Sequence, residues 1–174
     1  EELMRVISQQ KIKNIFFQKE WTQEEVEEED KLKNEYNNIN FKSFYSQFLY
    51  DPNDLDINNI SNVFTNFRKH CEKKLNVKDL VEYPKKLLED NLLKDDYLRP
   101  SLSDLGLEDF EMDSRSAFKF KGGCNAAKER LDFYLWQSKK INFYKQTRNG
   151  LIGQDYSSKF SSWLSNGSIS AREI

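Results

Sequence analysis

The fold class is decided by residues 12–45, IKNIFFQKEWTQEEVEEEDKLKNEYNNINFKSFY. Residues 12–18 contain a short apolar run, which predicts a buried strand of a parallel sheet. Residues 40–45 alternate well enough to predict a second strand. Between them, a helix is predicted to begin at Thr22 and to end near Asn37. Strand, helix and strand at this spacing indicate a βαβ unit and a parallel sheet.

The predicted helix carries sequence signals at its start. Thr22 and Glu25 form a capping box, in which each side chain hydrogen-bonds to the backbone near the other residue. Trp21 and Val26 have the spacing of a hydrophobic staple. The many acidic side chains are typical of a solvated helix face, and those in the first turn complement the helix dipole. They are Glu24, Glu25, Glu27, Glu28, Glu29 and Asp30.

The rest of the chain predicts helices separated by a long connector. Ser61 is expected to cap a helix with an apolar stripe. Residues 77–119 have poor periodicity, which predicts a surface connector with short helical turns. Gly122 and Gly123 then precede a further amphipathic helix. The apolar positions of the two helices are Phe64, Phe67, Cys71 and Leu75 in the first, and Ala127, Leu131, Tyr134 and Leu135 in the second.

Composition excludes several classes of protein. The chain has 174 residues and a net charge of −2, so a strongly basic surface for nucleic acid is absent and any DNA contact needs a local patch. Cys71 and Cys124 lie far apart and have no CxxC partner, which indicates reduced thiols in an intracellular protein and leaves His70 without a metal cluster. No apolar run is long enough to span a membrane. Helical phase already present at the first residues, and an S-x-x-E capping box at Ser170 and Glu173, predict neighbouring sequence at both ends.

Residues 156–161, YSSKFS, are the densest group of polar side chains. Hydroxyls and a lysine directly before a predicted helix start at Trp163 could cradle a phosphate, although a Ser-rich helix cap has the same pattern. A second group runs from Tyr144 to Arg148, and its simplest interpretation is an amphipathic helix with Tyr144 packed and Arg148 solvated. Neither a Ser/His/Asp arrangement nor a carboxylate pair stands out, so no catalytic residue is assigned.

Taken together, these segments resemble a known family. The stretches FKGGCNAAKERLDFYL (residues 120–135) and YKQTRNGLIGQDYSSKFSSWLSNGSISAR (residues 144–172) resemble the opening of the photolyase/cryptochrome flavin domain. Lys-Phe inside the hydroxyl-rich run, with Arg-Asn-Gly upstream, resembles the DASH branch. LYDPNDL (residues 49–55) and NVFTNFRKHCEKK (residues 62–74) resemble that branch too. The chain departs from the family pattern at Ser157, where Thr is usual, and at Ala171, where Pro is usual.

The resemblance implies a fold, an arrangement of domains and a set of cofactor contacts. Residues 1–76 would be the back half of a Rossmann-like parallel α/β antenna domain. Residues 77–119 would be the connector, and residues 120–174 the first helices of an all-α FAD-binding domain. Glu20 and Glu24 resemble the acidic position that binds a folate antenna, methenyltetrahydrofolate. The residues that would contact FAD are Tyr144, Ser157, Ser158, Lys159, Phe160 and Ser161.

The same resemblance implies an activity. Arg148 would contact the DNA backbone, and the parent protein would be a monomeric deoxyribodipyrimidine photolyase, a carbon–carbon lyase driven by blue light. Photoinduced electron transfer from FAD would split cyclobutane pyrimidine dimers, with single-stranded DNA favoured. The alternative is a photoreceptor cryptochrome without repair activity. A third interpretation is an inert remnant, and the intracellular compartment stays open.

Overall fold

The two predicted strands pair in parallel. In the computed structural model, which describes residues 2–93, 100–108 and 110–174, β1 (Asn14–Gln18) lies beside β2 (Asn40–Phe44). Helix α2 (Gln23–Glu35) connects them, so the predicted βαβ unit is confirmed. The α/β character of this part of the chain therefore follows from the periodicity of its sequence.

Strand β1 is half-buried, and the prediction of a buried strand is wrong for the described residues. Ile15 and Phe17 are partly covered, whereas Phe16 is 62% exposed. On the exposed face, Phe16 stacks on Phe44 with ring centroids 6.4 Å apart, and Lys42 Nζ lies 5.5 Å from the Phe16 centroid. The described elements cover one face of this sheet, so burial alternates with the period of the strand.

The start of α2 differs from its prediction. Thr22 is the N-cap residue, but its side chain makes no capping hydrogen bond, so the capping box is wrong. Trp21 stacks on Tyr45 with centroids 5.0 Å apart and packs edge-on against Phe48 at 4.9 Å, while Val26 is 36% exposed. The described ring contacts of Trp21 are therefore aromatic and lie at the entry of the chain into this helix.

Helix α3 (Phe64–Lys74) begins three residues after the predicted cap. The N-cap residue is Val63, and Ser61 Oγ accepts a hydrogen bond from the Val63 N–H in the preceding turn. Cys71 is 5% exposed, as the predicted stripe requires, but Phe64 at the helix start is 72% exposed. The stripe is therefore covered from Phe67 to Leu75 and open at its start.

The described residues between 77 and 119 contain no α-helix or strand, only short 3-10 turns at Glu89–Asn91 and Ser103–Leu105. Packing divides the chain into two compact units. Unit 1 contains Glu1–Lys78 and Ser170–Arg172, and unit 2 contains Asp79–Ile169 and Glu173–Ile174. The proposed domain limits at residues 76 and 119 remain predictions.

Unit 2 has its core on the predicted face of helix α4 (Cys124–Asp132), which continues as a π-helical turn, Phe133–Gln137. Ala127 and Tyr134 are fully buried, which confirms the predicted apolar face. Trp163 packs beside them, and its indole N–H donates to the Lys121 carbonyl at 3.1 Å. The buried core residues are Ala127, Tyr134, Phe160, Trp163 and Ile169.

The other described α-helices are short. They are α1 (Glu2–Gln9), α5 (Tyr144–Thr147) and α6 (Ser161–Ser165). Residues 171–173, which follow the first residue of the predicted capping box, form a turn. Among the described residues, no helix combines the length and the apolar character that crossing a membrane requires.

Candidate functional site

A buried arginine organises the polar loop before α6. Arg130 lies in the last turn of α4 and is 4% exposed. Its Nη1 donates to Asp155 Oδ1 at 2.7 Å. The guanidinium carbon lies 4.8 Å from the Phe120 ring centroid and 5.1 Å from that of Tyr134. A buried charge requires an ionic partner and acceptors for its N–H donors, and the loop provides both.

The same guanidinium binds three backbone carbonyls of the loop. Nη2 donates to the carbonyls of Gln154 at 3.0 Å and Ser157 at 3.1 Å, and Nε donates to the carbonyl of Ser158 at 3.1 Å. These bonds join residues 24 to 28 positions apart in sequence. Arg130 therefore fixes the path of the backbone through residues 154–158.

This path determines where the amide groups point. The peptide bonds are trans, so the N–H of each unit points opposite to its carbonyl. Because the carbonyls of Ser157 and Ser158 face Arg130, the N–H groups of Ser158 and Lys159 face away from it. Lys159 has a left-handed φ of 66° and Phe160 is right-handed (φ −72°, ψ −17°). Backbone of alternating hand at two neighbouring residues is typical of anion-binding sites built from successive N–H groups.

The side chains of the loop separate into donors and a core anchor. Ser157 and Ser158 are half-buried and Ser161 is exposed. Within the described residues, no protein group is hydrogen-bonded to these three hydroxyls. Phe160 is 6% exposed and packs edge-on against Tyr134 at 6.1 Å, so only its backbone can face a ligand. Ser157 to Phe160 thus lie in the loop that leads into α6, and Ser161 is the first residue of that helix.

Helix α5 is attached to this loop. Thr147 Oγ1 donates to the Tyr156 carbonyl at 2.9 Å. Arg148 is exposed, as the amphipathic interpretation expects, but Tyr144 is 42% exposed and the prediction that it packs is wrong. A helix of four residues offers little surface for packing, and Tyr144 at its start stays largely exposed.

Tyr134 is a second buried polar side chain beside the loop. Its hydroxyl has no hydrogen-bond partner among the described residues. Burial raises the pKa of the Tyr134 phenol, and the nearby Arg130 charge opposes that change. The phenol therefore stays protonated and neutral near pH 7.

Glu20 and Glu24 lie at a separate cavity in unit 1. Both line a cavity of about 390 Å³ whose apolar wall includes Ile15, Phe17 and Phe41. Glu20 Oε1 accepts a hydrogen bond from Gln18 Nε2 at 2.7 Å. The structure therefore brings the two predicted acids to one concave surface, where carboxylates border an apolar floor.

Sequence reasoning assigned no site role to Arg130 or Asp155. The signal for Arg130 was its helical phase, three residues after Ala127 and four before Tyr134 on the apolar face. A charged residue in a buried stripe needs a partner, which should direct attention to an acid elsewhere in the chain. No spacing rule identifies Asp155 as that acid.

Comparisons with known proteins agree with this architecture. A family model described as DNA photolyase matches residues 1–86. Cryptochrome DASH of Gloeobacter violaceus is 42% identical over 139 residues, which cover 79% of this chain and 28% of that protein. Cryptochrome DASH of Synechocystis sp. is 35% identical over an alignment of 175 residues, covering 98% of this chain and 35% of that protein.

A solved structure gives the same result. The crystal structure of the Synechocystis sp. PCC6803 cryptochrome matches with a TM-score of 0.82 at 35% identity and covers 97% of this chain. The chain spans between 28% and 35% of the length of these relatives. Sequence, fold and solved structure point to one assignment: the chain belongs to the photolyase/cryptochrome family.

Proposed function

We propose that the protein is a blue-light-dependent FAD flavoprotein of the DASH type and that residues 157–161 cradle the FAD diphosphate. The observation that carries this proposal is the orientation of the loop. The carbonyls of Ser157 and Ser158 bind Arg130, which leaves the N–H groups of Ser158 and Lys159 directed outward. A diphosphate needs such a concentration of donors and positive charge.

The chemistry of the donor set fits this cofactor. Ser157, Ser158 and Ser161 offer hydroxyls, and Lys159 offers a positive charge beside the outward amides. Tyr144 is half-exposed and lies in α5, the helix that Thr147 links to the Tyr156 carbonyl. It is therefore available to contact the nucleotide. Residues 120–174 would then begin a helical FAD-binding domain. Residues 1–76 would form the antenna domain, with residues 77–119 connecting the two.

We further propose that the whole protein is a deoxyribodipyrimidine photolyase, a carbon–carbon lyase that acts as a monomer inside the cell. When bound and reduced, FAD would supply the electron that light drives to a cyclobutane pyrimidine dimer. Arg148, exposed at the end of α5, would bind a phosphate of the DNA backbone. A dimer in single-stranded DNA is the favoured substrate, since it reaches a buried site without the energy of unpairing a duplex.

The test is illumination of the flavin-loaded protein, expressed from its complete reading frame. The substrate is a single-stranded oligonucleotide that carries one cyclobutane dimer, with a duplex of the same sequence beside it. Repair predicts loss of dimers in blue light, none in the dark, and a faster reaction on the single strand. Light-dependent reduction of the flavin with every dimer intact would favour the alternative, a signalling cryptochrome.

The cavity at Glu20 and Glu24 supports a second proposal, an antenna folate such as methenyltetrahydrofolate. Carboxylates can accept from the amino and ring N–H groups of a pterin, while the apolar wall covers its flat face. Glu20→Gln should lower the amount of folate that remains with the purified protein, measured by absorbance. Glu27→Gln is the matched control because Glu27 does not line the cavity. Equal folate content in both variants would contradict this assignment.

A further inference from the structure

We infer that Arg130 is a positioning residue of the anion cradle, acting through Asp155 and the loop backbone without touching the ligand. This inference rests on the proposed function, because it concerns how the same loop is held ready for a diphosphate. Arg130, which lies outside residues 157–161, would orient the peptide units of this loop. The cradle would accordingly depend on a side chain contributed by α4.

The contacts of Arg130 converge on one stretch of the loop backbone. One guanidinium donates to Asp155 and to the carbonyls of Gln154, Ser157 and Ser158, at distances between 2.7 and 3.1 Å. The two peptide units whose carbonyls bind Arg130 at Ser157 and Ser158 are the units that carry the outward N–H groups. Removing either bond releases the rotation of a peptide plane that the cradle needs fixed.

Only arginine matches this arrangement of acceptors. Its planar fork carries N–H donors on Nε, Nη1 and Nη2, and each of the three atoms is used here. Its flat face also lies against Phe120 and Tyr134. A lysine ammonium is a point charge without a fork, so it cannot reach the carboxylate and all the carbonyls at once.

The positive charge of Arg130 has its own acidic partner. Asp155 neutralises the guanidinium at 2.7 Å, and Asp155 itself is 38% exposed in its side chain. The charge that Arg130 brings is therefore balanced inside the loop, which leaves Lys159 as the positive side chain of the run. Arg130 contributes the geometry of the cradle, and Lys159 contributes its charge.

The experiment measures amide shifts in the isotope-labelled chain during titration with inorganic pyrophosphate. In the unaltered chain, the N–H signals of Ser158 and Lys159 should shift and saturate. Arg130→Lys should weaken this binding by about tenfold, and Asp155→Asn, which keeps the size of the side chain, by at least about threefold. Arg115→Lys is the matched control because Arg115 pairs with Asp113 on the exposed surface.

The outcomes separate this inference from the proposed function. No pyrophosphate shift in the unaltered chain would remove the cradle and this inference with it. Equal affinity in the unaltered chain and in Arg130→Lys would overturn the inference alone, and the cradle would stand. Loss of the dispersed signals of Ala127 and Trp163 in Arg130→Lys would show that this variant has unfolded. The pyrophosphate affinity of Asp155→Asn then decides whether the inference holds. Unchanged affinity in that folded variant overturns the inference, and weaker binding supports it.

Discussion

The ammonium nitrogen of Lys159 lies 3.6 Å from the centroid of the Tyr156 ring. This contact holds the lysine of residues 157–161 against the Tyr156 ring. The backbone of the same loop is fixed by Arg130. Lys159 also has a φ of 66°, in the left-handed region that residues other than glycine seldom adopt. The position of this charge therefore depends on an aromatic ring that carries no charge itself.

Tyr156→Leu should release Lys159 and weaken pyrophosphate binding by about two- to fivefold, since a partly exposed cation–π contact contributes about 0.5–1 kcal/mol. Tyr156→Phe keeps the ring and should bind as the unaltered chain does. The proton signals beside Lys159 Nζ should be shifted by the ring current in both ring-containing proteins and not in the leucine variant. If the phenylalanine variant behaved like the leucine variant, the hydroxyl and not the ring would be responsible.

Gly150→Ala should lower the free energy of unfolding by about 1–2 kcal/mol, because the new methyl group meets packed atoms. An added Cβ would lie 3.0 Å from Tyr156 Cβ and 3.1 Å from the Thr147 carbonyl oxygen. The backbone oxygen cannot move aside as a flexible side chain could. Gly122→Ala is the control, since nothing lies within 4 Å of its added Cβ. Equal urea denaturation midpoints for the two variants would contradict this prediction.

Trp163→Phe should destabilise unit 2 by about 2 kcal/mol, because it removes buried volume and leaves the Lys121 carbonyl without its indole donor. Trp163 is 1% exposed, whereas Trp136 is 68% exposed. Trp136→Phe makes the same chemical change at the surface and should alter the free energy of unfolding by less than about 0.5 kcal/mol. Urea titration followed by circular dichroism measures both, and similar losses would show that Trp163 is not a core anchor.

Lys78→Gln should raise the pKa of Asp51. Lys78 Nζ lies 2.7 Å from Asp51 Oδ2, and this hydrogen bond is the main reason why the Asp51 pKa lies below its ordinary value of 3.8. The N–H of Asn53 lowers it further. Because the folded pKa is depressed, the stabilisation is present above pH 3.8 and is lost as the pH falls through the folded pKa.

The measurement is a carbon NMR titration of the Asp51 carboxyl in both proteins. The midpoint should move up toward 3.8 in Lys78→Gln and stay low in Lys74→Gln, a lysine of α3 changed in the same way. In the Lys78 variant, less stability should be lost on acidification below pH 3.8, since folding favours the charged form of Asp51 less strongly there. An unchanged Asp51 midpoint would show that the backbone alone sets this pKa.

The sequence predicted those parts of the fold that depend on local periodicity. The βαβ order follows from the apolar runs at β1 and β2, and the buried face of α4 follows from a helical repeat that includes Ala127 and Tyr134. The exposure of Phe16 was not predictable in the same way. Burial of a strand depends on which elements cover each face, and an apolar run carries no such information.

Local signals also failed where distant contacts compete with them. The capping box at Thr22 is correct in spacing, but Trp21 packs on Tyr45 and Phe48, which lie more than twenty residues away. The loop at Ser157 was found because its hydroxyls are adjacent in sequence. The orientation of this loop could not be found in the same way, because it depends on hydrogen bonds from Arg130. A residue pair with that separation has no characteristic spacing, so only the fold reveals it.

The left-handed backbone at Lys159 has a thermodynamic consequence. A non-glycine residue in this conformation costs about 1–3 kcal/mol, and it persists only where surrounding contacts enforce it. Here the enforcing contacts are made by groups of the chain itself, so the loop is ordered during folding. Binding to a preorganised loop costs less conformational entropy than binding to a loop that must first become ordered. Substituting glycine at Lys159 would relax the backbone, so such a variant could become more stable while its site became a poorer receptor.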